Sequence, residues 1–176
     1  MRILLACLLA VCLVAGPIPA AAKSLNEAEQ AALSETVDDF SNAMKGNDFK
    51  RVVATLPPRL IDKMSAQVGV PADQLRDMLA AQSAQVMGNA TVEKFATDLS
   101  DLSAKSGKMP DGSKVLYAFV PAEVVFTMGG KTHEAPQNLL ALKDGEAWYL
   151  MRVQSDGHVK MLQDIYPFLK RRDFKF

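Results

Sequence analysis

The sequence predicts an α+β fold: N-terminal helices packed on one face of a curved four-stranded antiparallel meander, followed by a short C-terminal helix. Three observations point there. Apolar residues recur at helical spacing up to about Gly88. Beyond that point they gather in short runs rich in β-branched and aromatic residues. Two pairs of those runs are joined by Gly129-Gly130 and Asp144-Gly145, both favoured hairpin turns.

The first segment reads as an address. Met1-Arg2 is a short basic start, Ile3 to Val14 is apolar, Gly16-Pro17 breaks the run, and Ala20-Ala21-Ala22 suits a signal peptidase. Residues 1–22 are therefore expected to be a cleaved signal peptide and residues 23–176 a single domain, periplasmic or secreted. Ile3 to Val14 is too short to span a bilayer, which takes about 20 apolar residues, so no membrane span is expected after cleavage. Cys7 and Cys12 both fall in the removed segment, leaving no disulfide, thiol nucleophile or thiolate metal site. Without Arg2 the chain carries 19 basic and 20 acidic residues. That balance gives no electrostatic case for nucleic acid. The tail, Lys170 to Phe176, is the one basic-aromatic stretch, and its expected state is a solvated end.

Four helices are expected first. Ser24-Leu25-Asn26-Glu27 reads as a capping box opening a helix through Val37, Phe40 and Met44, stopped at Gly46. Asp48 caps a second, with Val52, Val53 and Leu56. Pro57-Pro58 ends it and opens a third, with Leu60, Ile61, Met64 and Val68 on one stripe. The fourth carries Leu75, Met78, Leu79 and Val86, and ends near Gly88. All these stripes are read as core.

Strands follow. Ala90 to Leu99 is the first, and Ser103 to Ser113, rich in small and polar residues, is a loop. Val115 to Met128 and Lys131 to Leu142 form a hairpin about Gly129-Gly130, and Ala147 to Val153 returns after Asp144-Gly145. Pro121 and Pro136 fall at nearly one level of the hairpin, which suggests a bend there. Ser155-Asp156 caps a final helix with Val159, Leu162 and Ile165, stopped by Pro167.

With two-residue turns, Phe126 faces His133, Val124 faces Ala135, Ala141 faces Trp148 and Leu139 faces Leu150. Period-2 alternation puts all eight on one side, under the helices. The other side receives Leu140, Leu142, Tyr149 and Met151, an apolar patch that needs cover. A second subunit or the C-terminal helix would supply it, and a homodimer through this outer face is the leading expectation.

Helices followed by a bent meander ending in "KDGEAWYLMRV" and a short helix resemble the nuclear transport factor 2-like, or cystatin-like, superfamily. The "DGEAW" turn carries the likeness most clearly. The resemblance implies a cone, with helices closed over a curved sheet around an apolar pocket, and often dimers through the sheet. Some such proteins are isomerases, cyclases or dehydratases using Asp or His; many only bind. No catalytic residue transfers, because no fixed catalytic motif can be placed on this chain.

The inventory of chemistry is short. There is no phosphate loop, G-x-S-x-G or HExxH, and no catalytic residue, metal site or cofactor is assigned. Asp98 and Asp101 are weighed as general bases and read as solvated. Ligand-binding expectations fall on His133, Trp148, Phe126 and Leu150, the first as a polar group at the cone mouth and Trp148 as core anchor or pocket wall. The function expected is an exported non-catalytic binding or interaction module, working as a homodimer. The alternatives are a carrier of an apolar small molecule, for which nine methionines suit an adaptable pocket, or a cofactor-free isomerase or lyase using His133 or an Asp. A cavity with a carboxylate would favour the enzyme, a dry cavity the carrier, and a filled cone the interaction module.

Overall fold

The sheet is organised around its two longest strands, Lys114–Met128 (β4) and Lys131–Asp144 (β5), in a computed structural model that describes residues 23–175. The signal peptide expected in residues 1–22, with Cys7 and Cys12, lies outside the described residues, as does Phe176. Gly129 and Gly130 both take positive φ, 58° and 74°, as a type I′ turn requires. The β4–β5 ladder then runs in a single register from Met128↔Lys131 to Leu116↔Lys143, and both prolines are accommodated without a slip.

The other edge of β4 is shared. Its second half pairs with Thr91–Thr97 (β2), from Thr127 to Ala122, with a bulge between Val92 and Lys94. Its first half pairs with Ser103–Lys108 (β3), from Lys114 to Tyr117. Pro121 thus falls where β4 pairs with β5 alone. β3 corrects the expected loop: only Met109 to Ser113 turns, closed by the Met109 amide donating to the Ser113 carbonyl at 2.8 Å. Its composition misleads because Gly107 is small by necessity. A Cβ there would overlap the Phe168 ring. Lys23–Ser24 (β1) adds a short strand outside β3.

Ala147–Arg152 (β6) completes the sheet beside β5. Its turn is displaced by one position from the expected one. Gly145, at φ 72°, is the first turn residue and Glu146 the second, so Asp144 pairs with Ala147. Ala141 therefore faces Leu150, Lys143 faces Trp148 and Leu139 faces Arg152. A shift of two residues in pairing leaves every side chain on its expected side.

Glu27–Lys45 (α1) starts two residues later than expected. Asn26 is the cap: its Oδ1 accepts from the Glu29 amide at 2.8 Å, and Glu29 accepts from the Asn26 amide at 3.1 Å. α1 lays Leu33, Val37 and Phe40 on Val120, Leu139, Ala141, Trp148 and Leu150. Phe49–Ala54 (α2), capped by Asp48, follows. At its end Thr55 meets the free edge of β6: the Leu150 amide donates to the Thr55 carbonyl at 2.9 Å, and the Thr55 hydroxyl to the Leu150 carbonyl at 3.1 Å. An exposed edge is thereby satisfied by a helix end.

Pro58–Val68 (α3) buries Leu60 and Ile61, and Ala72–Met87 (α4) buries Leu75 and Ala80. Three residues expected in the core are not there: Val68, Met78 and Val86 are 58%, 52% and 66% exposed. α4 packs chiefly on α2 and α3 rather than on the sheet.

Asp156–Ile165 (α5), capped by the Ser155 hydroxyl, covers the opposite side of the sheet. Val159, Leu162, Tyr166, Leu169 and Phe174 bury Val115, Tyr117, Leu140, Leu142 and Met151. The tail is thus packed rather than solvated: Phe174 meets Phe119 edge-on at 5.1 Å, and Lys105 pairs with Asp173 at 3.1 Å. Leu140, Leu142 and Met151 are buried and Tyr149 half-buried within one chain. The patch expected to face a second subunit is closed by the chain's own C-terminus.

Candidate functional site

Helices seated on one side and a hairpin that runs past them leave a gap. α1 lies over β6 and β2, while α4 rides on α2. Between α4 and the sheet lies a cavity of about 520 Å3. Phe40, Met44, Val52 and Leu56 line it from α1, α2 and the end of α2; Leu79, Val86 and Met87 line it from α4. Val92 and Phe95 of β2, Val124 and Phe126 of β4, and Leu150 of β6 form its floor. Volume and apolar lining both match those of small-molecule sites, about 300–1,000 Å3.

Its polar groups are few. Thr55, Ser83, Gln137, Arg152 and Gln154 reach it; no aspartate, glutamate or histidine does. The Thr55 hydroxyl is already held between the Val52 and Leu150 carbonyls. Arg152 follows Leu150 by two residues and so shares its side of β6. Arg152 is exposed, and the partial burial it does have lowers its pKa below the ordinary arginine value. An arginine stays charged at neutral pH even so. No protein group among the described residues pairs with its guanidinium.

Two of the four residues expected to bind a ligand, Phe126 and Leu150, line the cavity. Trp148 does not. It is 5% exposed, packed under α1, and borders instead a crevice of about 280 Å3 with Thr36, Asp39, Arg51, Ala54 and Thr55. Its indole Nε1 is buried without a hydrogen-bond partner among the described residues. His133 is exposed and stacks on Phe126, ring centroids 5.2 Å apart and planes 22° apart, but it is not among the lining residues. Sequence reasoning missed Arg152 and Gln137, although the alternation that placed Trp148 and Leu150 inward points Arg152 the same way.

Asp98 caps its own turn, accepting from the Ser100 hydroxyl at 2.6 Å and amide at 2.9 Å. Those bonds hold its carboxyl below the usual carboxylate range, which fits a turn residue better than a proton carrier. Among the described residues no cluster of three or more His, Cys, Asp or Glu could hold a metal ion, and no helix is long and apolar enough to cross a membrane.

A wider cleft, about 850 Å3, lies at the rim of the sheet and includes Pro121, Pro136, Asn138, Glu123, Arg152 and Lys175. It holds both signs of charge and few large apolar groups. Glu123 there is engaged by Lys94 at 2.7 Å. The cavity is the better candidate for an apolar ligand, and Arg152 borders both spaces.

No protein-family model matches the chain, and no curated protein does. Among solved structures, Aln2 from a Streptomyces species is similar with a TM-score of 0.45 and 13% identity, over 74% of this chain and 94% of Aln2. A likeness of that size assigns neither family nor activity.

Proposed function

We propose that this protein is an exported carrier of an apolar small molecule, held between its helices and its curled sheet. The observation that carries the reading is the cavity of about 520 Å3, walled by aliphatic, aromatic and methionine side chains and free of carboxylate and imidazole. The same arrangement is compatible with a nuclear transport factor 2-like cone, and membership of that superfamily is part of the proposal. Export rests on the leader read in residues 1–22. The carrier reading takes precedence over the homodimeric interaction module because the outer apolar face is covered within the chain. It takes precedence over an isomerase or lyase because neither His133 nor any Asp lines the cavity.

The test is a fluorescence titration of the purified protein with N-phenyl-1-naphthylamine, an uncharged apolar dye. A saturable enhancement is expected. Val86→Trp, at the exposed edge of the cavity, fills space without touching the core and should weaken dye binding by about tenfold, the loss of about 1.4 kcal/mol. Val68→Trp, also well exposed but on α3, should leave binding unchanged. Dye binding that fails to saturate, or that ignores Val86→Trp, refutes the reading.

A further inference from the structure

We infer that the ligand is an amphiphile with a single anionic head, its head held by Arg152 and its apolar body lying along Phe95, Phe126 and Met87. This rests on the cavity being the binding site and names the chemistry that site selects.

Three observations carry it. First, Arg152 is the one charged residue lining an otherwise neutral cavity, and no acidic side chain lines that space to neutralise it. Second, Arg152 is solvent-exposed and no group among the described residues pairs with its guanidinium, so its donors stand open to an incoming anion. Third, Arg152 borders both the cavity and the rim cleft. A head at this boundary keeps contact with water while the body is buried. Gln137 and Gln154 lie beside the same two spaces and offer amide donors to the second oxygen of a head group. The acidic groups of the rim cleft are engaged elsewhere, Glu123 by Lys94 and Asp98 by the Ser100 amide and hydroxyl. A planar guanidinium pairs with two oxygens of one head at once, which favours a carboxylate or phosphate monoester over an alcohol.

Decanoate and 1-decanol share one chain length and differ in the head. Each is titrated against the naphthylamine-loaded protein, for the native chain and for Arg152→Met and Arg152→Lys. The expected result is decanoate displacing the dye about ten- to a hundredfold more effectively than decanol, the range of a charge-assisted hydrogen bond. Arg152→Met should bring decanoate down to the level of decanol, and Arg152→Lys should keep part of the preference. Equal displacement by the two compounds in the native protein, or a preference that survives in Arg152→Met, overturns the head-group assignment and leaves the apolar carrier standing. Failure of the dye to bind at all removes both.

Discussion

Replacing Leu162 by alanine tests what covers the outer face of the sheet. Leu162 is 1% exposed and belongs to the buried cluster that includes Leu140, Leu142, Met151, Val159 and Tyr166. Truncating a fully buried leucine costs about 2–5 kcal/mol, the transfer of the lost carbons plus the void left behind. In a domain of about 150 residues each kcal/mol lowers Tm by about 2–4 °C, so a loss near 3 kcal/mol predicts a fall of roughly 6–12 °C. Circular dichroism melts of the native and Leu162→Ala proteins, over a wide range of protein concentration, measure this. Because α5 belongs to the same chain, native Tm should not move with concentration. A face covered by a second copy would melt later as concentration rises, by mass action. A native Tm that climbs by several degrees, or a variant that melts with the native protein, refutes intramolecular cover.

Gly107→Ala should destabilise by about 1–3 kcal/mol, because its Cβ must displace the Phe168 ring; the ring now packs at a tilt against Tyr117, centroids 5.2 Å apart. In a double-mutant cycle by urea unfolding, Phe168→Ala should absorb most of that cost, and strict additivity would contradict the contact. Alkaline titration offers another test. Burial first, then the Asp144 carboxylate that accepts from the Tyr166 hydroxyl at 3.0 Å, pushes the Tyr166 phenol well above the ordinary tyrosine range, and burial first raises Tyr117 too. Folded-state values above the unfolded value of about 10 mean this stability is complete below about pH 10 and drains away as pH rises toward the folded values. Urea midpoints should therefore fall above about pH 10, and less steeply in Tyr166→Phe; parallel declines would show that Tyr166 is not a source.

Alternation was the most legible feature of the sequence. A strand has only two sides, so reading Trp148 and Leu150 inward and Leu140, Leu142 and Met151 outward survived an error in the second turn. That error has a local cause. Asp-Gly fits a I′ turn, but glycine also suits the first position of a II′ turn, and here Gly145-Glu146 turns while Asp144 remains in the ladder. Asp144 is held there by Arg59 at 2.8 Å and by Tyr166, groups far away in sequence. β3 was hidden for a comparable reason. Ser103, Ser106 and Gly107 carry little strand signal, and the strand exists because β4 offers its edge and Phe168 needs the gap above Gly107. Choosing between the two covers for the outer face was beyond periodicity, which says that a surface is apolar but not what reaches it.

The cavity arises where local pattern and tertiary packing disagree. Leu75, Met78, Leu79 and Val86 recur as a core stripe would, yet α4 satisfies its packing early. Leu75 and Ala80 are buried, Ala80 sits against Phe49 and Val53, and Arg76 donates to the Val53 carbonyl at 3.1 Å. That seat on α2 holds the helix away from the sheet, so Leu79, Val86 and Met87 border open volume, with Val124, Phe126 and Leu150 across from them. Side chains on both walls forgo the dispersion contacts that a filled core would provide. The hairpin tip adds to the imbalance, since Met128 is left 39% exposed. A sequence selected only for stability gains by closing such a gap with a larger apolar residue at Ser83, which lines it. Keeping a small polar residue at Ser83 leaves that space open, as the proposed carrier requires.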